Sequence, residues 1–118
     1  MEEIKYKQYI VVPKKPKMSK GKIASQVAHA TFMALEKDKK NPNIELWKVE
    51  GMCVIVLECK DTNQLMAIDR YMEQWGVPHH MYVDEGLFGC DPFTPTALAT
   101  GVLMEHQAWF LKEMKLFK

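Results

Sequence analysis

The spacing of apolar residues changes several times along the chain, and each change marks an element. Tyr6–Val12 (YKQYIVV) is aromatic and β-branched and is stopped by Pro13, the pattern of a first strand. Pro16 and its neighbouring lysines make a polar loop, and Ser19 is placed to cap a helix whose first turn holds Lys20 and Gly21. From Lys22 to Lys39 the period is helical, with Ile23, Val27, Ala30 or Thr31, and Ala34 forming an apolar stripe. Four alanines (Ala24, Ala28, Ala30, Ala34) keep this helix slim enough to lie close on a sheet. Asn41-Pro42-Asn43 interrupts the chain, and Ile44–Val49 is a short second helix or an irregular turn ended by Gly51. Met52–Cys59 is nearly all apolar, as expected of a strand buried on both faces. Asp61 or Thr62 caps a helix over Thr62–Trp75 that carries Leu65, Ile68, Met72 and Trp75 on one face and stops at Gly76. His80–Val83 is a short strand, residues 84–96 a loop, and Thr96–Leu103 a last strand. Glu105–Phe117 closes the chain as an expected amphipathic helix with Trp109, Phe110, Met114 and Phe117 on its apolar side.

Strands alternating with helices predict an α/β fold with helices on both faces of one sheet, a three-layer α/β/α arrangement. The first two strands, joined by a long helical crossover, are expected to be parallel. The last two lie close in sequence and are expected to be antiparallel, which makes a mixed four-stranded sheet. A chain of 118 residues fits a single domain over 1–118, with a helical extension from about residue 104, and needs no disulfide or zinc staple. No apolar run approaches the roughly 18 residues of a membrane span. The N-terminus reads as no signal peptide, and Cys53, Cys59 and Cys90 are odd in number without metal-ligand spacing; together these predict a cytoplasmic protein.

Charge alters this picture. The formal net charge is +1, yet residues 1–40 hold ten lysines against four acidic residues, while residues 41–118 hold six basic residues against eleven acidic ones. The densest cluster is KKPKMSKGK, in which Lys14, Lys15, Lys17, Lys20 and Lys22 fall with no acid among them. Such a segment suits a polyanion with closely spaced phosphates, and it also suits a solvated loop.

Residues 18–30, M-S-K-G-K-I-A-S-Q-V-A-H-A, carry the chemistry-bearing pattern. A helix N-terminus offers free backbone N–H groups and partial positive charge, and lysines placed there oppose the helix dipole. A conflict of that kind points to a ligand. Lys22, Gln26 and His29 share one broad stripe, which aligns an amine, an amide and an imidazole; Gln26 could equally be an exposed helix residue and His29 a half-buried one. Asp84, just past a short strand in Y-V-D-E-G, is placed for function or for capping a turn. Thr94, Thr96 and Thr100 in T-P-T-A-L-A-T-G add hydroxyls.

These segments resemble the peptidyl-tRNA hydrolase II family. Its pattern M-x-K-G-K-x-A-x-Q-x-x-H-A is matched throughout by residues 18–30, and the likeness continues through L-W-K-V-E-G-M, V-I-V-L, W-G-V-P, V-D-E-G and T-P-T-A-L-A-T-G. The resemblance implies a three-layer fold around a four-stranded sheet, and hydrolysis of the ester joining a peptide to the 3′ end of tRNA. It also implies no metal or other cofactor, tRNA as partner, and a homodimer. By position it implies catalytic roles for Lys22 and Asp84, with Lys20, Gln26, His29, Thr94 and Thr96 among the other pocket residues. One stretch departs: after the aspartate the family reads A-G-R-T-Q, whereas here Glu85-Gly86-Leu87-Phe88-Gly89 stands.

Ester hydrolysis needs an activated water and a stabilised oxyanion. Asp84 could orient or deprotonate the water or hold Lys22; Lys22 could stabilise the oxyanion or act as a base; Thr94 or Thr96 could donate to the same oxygen. Lys14, Lys15, Lys17 and Lys20 would hold tRNA phosphates, and Phe88 could stack on the terminal adenine. Two rival readings are a catalytically impaired RNA- or protein-binding module on the same scaffold, and a closing helix that docks on a partner protein.

Overall fold

The computed structural model describes residues 3–84, 86 and 93–118. The elements run β1 (Tyr6–Pro13), α1 (Lys20–Lys37), α2 (Asn43–Val49), β2 (Val54–Cys59), α3 (Thr62–Gln74), β3 (His79–Asp84), β4 (Thr94–Met104) and a 3-10 helix (Glu105–Leu111). The sheet order is β2-β1-β4-β3. β1 pairs parallel with β2 and antiparallel with β4, and β4 pairs antiparallel with β3, so the sheet is mixed as expected.

Strand alternation sends side chains to two cores. Ile10, Val12, Ala97 and Ala99 pack against Met18, Ala30 and Ala34 on the α1 side, where the alanines let the helix lie close. Val11, Leu57, Leu98 and Leu103 pack against Leu65 and Met72 of α3 and against Ala108 and Leu111 on the other side. Leu65, Met72, Leu98 and Leu103 are essentially inaccessible, and each contributes about 1.5–3 kcal/mol of burial. α2 seats Ile44 and Trp47 beside Val102 and Leu35. Both main helices are capped from their own sequence: Ser19 Oγ accepts from Lys22 N at 3.2 Å, and Asp61 Oδ1 accepts from Gln64 N at 3.0 Å.

Two expectations need correction. The strand expected to be buried on both faces, β2, lies at the end of the strand order, and in it Leu57 and Cys59 are buried while Val54 is exposed. Its outer edge has a cover of its own. Glu58 N donates to Lys115 O, Phe117 N donates to Val56 O, both at 2.9 Å, and Leu57 bridges antiparallel to Leu116, so the end of the chain lies along the outer side of β2. The closing amphipathic helix expected over Glu105–Phe117 is likewise shorter, a 3-10 helix ending at Leu111. Three-residue turns align i and i+3, and this brings Ala108, Leu111 and Met114 to one side, against the α3 core. Trp109, one of the residues offered to the body or to a partner, is largely exposed.

The register positions the site. β1 and β3 both run antiparallel to β4, so the end of β1, the end of β3 at Asp84 and the start of β4 at Thr94 lie at one margin of the sheet. α1 begins at that margin, after the lysine loop. Ligands of open α/β sheets gather at such strand ends. At the opposite margin Gly101 sits in close quarters, because a Cβ there would fall 2.7 Å from Asp38 Oδ2 and 3.3 Å from the ring of Pro78.

Candidate active site

Sixty-two positions separate Lys22 from Asp84, yet Lys22 Nζ lies 3.5 Å from Asp84 Oδ2. Their side chains are 7% and 4% exposed, so both charges are withdrawn from water. Asp84 Oδ2 also accepts from Gly86 N at 3.2 Å. Among the described residues, the other carboxylate oxygen, Oδ1, accepts no hydrogen bond. The strand end is held by Phe93 N, which donates to Asp84 O at 2.6 Å.

One turn along α1, Gln26 is buried against β4, and its Oε1 accepts from Thr96 Oγ1 at 2.5 Å. Thr94 stands opposite Asp84 in the β3–β4 register. His29 is exposed and stacks flat on Tyr82, with ring centroids 4.7 Å apart and planes 9° apart. A cavity of about 220 Å³ opens beside the start of α1, lined by Ser19, Gly21, Lys22, Ser25 and Gln26. Gly21 leaves its surroundings open, since a Cβ there would meet nothing within 4 Å.

The anticipated residues thus fall into two groups. Lys22, Asp84, Gln26, Thr94, Thr96 and His29 converge where α1 crosses β3 and β4. Lys14, Lys15, Lys17 and Lys20 are exposed on the adjoining loop and first helical turn, where Lys14 Nζ also lies 3.7 Å from Glu58 Oε2. Leu87, Phe88 and Gly89, which replace the family's arginine, threonine and glutamine, lie outside the described residues, as does Cys90. Sequence reasoning missed Tyr82. Strand alternation could have found it, because a residue two before Asp84 faces the same side. It also passed over Ser25 as a lining residue.

Coulomb attraction between unit charges at the Lys22–Asp84 distance is about 5 kcal/mol at an effective dielectric constant of about 20. Desolvation of both groups opposes it. A pair kept dry at such cost, beside a helix start and an open cavity, can present a cation and a carboxylate to one reacting group. Among the described residues, no group of three or more His, Cys, Asp or Glu side chains is placed to hold a metal ion. No helix among them is long and apolar enough to cross a membrane.

Comparison with known proteins gives the family. The family model described as Peptidyl-tRNA hydrolase PTH2 matches residues 6–117. A protein of Methanopyrus kandleri named peptidyl-tRNA hydrolase is 38% identical over 103 residues, covering 86% of this chain and 89% of that protein. Proteins of the same name from Thermococcus onnurineus and Haloquadratum walsbyi are each 37% identical, over 104 and 95 residues, covering 86% and 80% of this chain and 88% and 84% of their own. The chain belongs to the peptidyl-tRNA hydrolase PTH2 family.

Proposed function

We propose that this chain hydrolyses the ester bond of peptidyl-tRNA, or of a related N-blocked aminoacyl-tRNA, and releases free tRNA. Family membership supports the reaction class, and the buried Lys22–Asp84 pair at the sheet margin is the observation that carries the assignment of residues. Asp84 Oδ1, with no described donor, takes the proton of the attacking water, while Oδ2 is held by Lys22 and Gly86 N–H. The water oxygen adds to the ester carbonyl carbon. Lys22 stabilises the oxyanion that forms, in a site where burial strengthens the attraction. Collapse breaks the bond to the 3′ oxygen of tRNA, which leaves with the proton that Asp84 took from the water, and the carboxylate is restored. Thr94 stands at the cleft rim beside Asp84. His29 stacks on Tyr82 further along α1.

Lys14, Lys15, Lys17 and Lys20 hold tRNA phosphates in this reading, because they are exposed next to the cleft. The chain acts in the cytoplasm, a compartment that suits the free thiols of Cys53 and Cys59. It acts as a homodimer, which light scattering tests as twice the 13.7 kDa chain mass.

The test is release of N-acetylamino acid from N-acetylaminoacyl-tRNA by the wild type and by folded Lys22→Ala and Asp84→Asn variants. The wild type turns over and both variants fall by at least about 100-fold. Salt-sensitive tRNA binding without release, in wild type and variants alike, would instead identify a binding module.

A further inference from the structure

Thr96 entered as a possible donor to the substrate, but its surroundings assign it a different role. It sits inside β4 with 2% of its surface exposed, against Gln26, which is 3% exposed. A threonine hydroxyl has one proton to give, and here that proton goes to Gln26 Oε1 over 2.5 Å. Were the amide turned over, Gln26 Nε2 would donate to the hydroxyl, and the hydroxyl proton would be buried with no described acceptor. Unmade buried hydrogen bonds cost about 1–3 kcal/mol, so the pair settles with Oε1 against β4. The amide NH₂ then faces away from Thr96, and among the described residues it donates to none. Gln26 lines the 220 Å³ cavity together with Ser19, Gly21, Lys22 and Ser25. Being four residues after Lys22, it presents to the same side of α1.

We propose that Thr96 is a positioning residue which locks the Gln26 amide, and that the Gln26 NH₂ is the second hydrogen-bond donor to the ester oxyanion beside Lys22. The inference rests on the hydrolase reading and deepens it. As water adds to the carbonyl carbon, the carbonyl π pair moves onto oxygen; Lys22 and Gln26 meet that charge, and it returns to carbon as the bond to the 3′ oxygen breaks. A donor held in place beforehand costs no reorganisation at that moment.

The experiment is a set of kcat and KM measurements on N-acetylaminoacyl-tRNA, with Lys22→Ala as the control for the hydrolase reading itself. Gln26→Ala lowers kcat about 100-fold, the usual loss of one oxyanion donor. Gln26→Glu, which keeps an acceptor for Thr96 but removes the NH₂, loses as much. Thr96→Val frees the amide to turn and lowers kcat roughly 10-fold with KM within about two-fold, and Thr96→Ser recovers most of that loss. In the Gln26→Ala background, Thr96→Val has no further effect on kcat, because the group it positions is gone. Equal losses from Thr96→Val in both backgrounds, or full activity in Gln26→Glu, overturn the inference while leaving the hydrolase reading intact. A wild type that releases nothing, like Lys22→Ala, overturns the hydrolase reading and the inference with it.

Discussion

Replacing Lys22 by methionine tests the physics of the buried pair separately from catalysis. Methionine keeps most of the stem of the side chain and removes the ammonium. Asp84 is then left 4% exposed, with Gly86 N at 3.2 Å as its remaining described donor. The attraction removed is about 5 kcal/mol at the observed separation, and lysine's own desolvation is recovered, so the expected net destabilisation is about 3–5 kcal/mol. For a chain of this length that lowers Tm by roughly 10–20 °C. The double variant Lys22→Met/Asp84→Asn removes the orphaned charge and keeps the carboxylate's shape. It should regain at least about 2 kcal/mol over Lys22→Met, while remaining as inactive as either single variant. Urea unfolding of wild type, both single variants and the double variant closes the cycle, and ester release is measured alongside. The reasoning is refuted if Lys22→Met unfolds with the wild type, or if adding Asp84→Asn only lowers stability further; either result means that the two charges are not coupled in solution.

Other consequences are checked more simply. Replacing Lys15, Lys17 and Lys20 by alanine should leave kcat nearly unchanged, raise KM, and reduce the salt dependence of log KM by roughly 0.7–0.9 for each phosphate that is no longer neutralised; an unchanged slope removes these lysines from tRNA binding. His80 has its pKa lowered by burial and then by Lys37 and His79, with Asp69 opposing. The unfolded chain therefore binds the proton first, and stability falls as pH drops below about 6.5; comparing urea midpoints at pH 7 and pH 5, this fall should be smaller in His80→Asn. Gly101→Ala should cost about 1–3 kcal/mol by forcing its new methyl against Asp38 and Pro78, and adding Asp38→Ala should recover part of that loss.

Much of the architecture was legible because local pattern and tertiary demand agree. The alanine stripe of α1, Ser19 and Asp61 as caps, and the break at Pro13 all act within a few residues of themselves. The link between Lys22 and Asp84 came from a family resemblance, since no local period connects positions on a helix and on a distant strand. What escaped was decided by packing. β2 reads in composition as a strand buried on both faces, whereas its pairing with β1 on one side and with residues 115–117 on the other is a long-range arrangement that no periodicity announces. The 3-10 helix hid its period of three behind conspicuous aromatics. Trp109, Phe110 and Tyr71 form their own cluster instead, with Tyr71 and Phe110 centroids 5.1 Å apart.

The strap of residues 115–117 gives the sheet a direction of growth. On the β2 side the chain supplies its own last hydrogen-bonding neighbour, so a foreign strand arriving there finds main-chain positions already taken. On the β3 side no described strand does so. Among the described residues, β3 is therefore the edge left for an added strand, and it leads to Asp84.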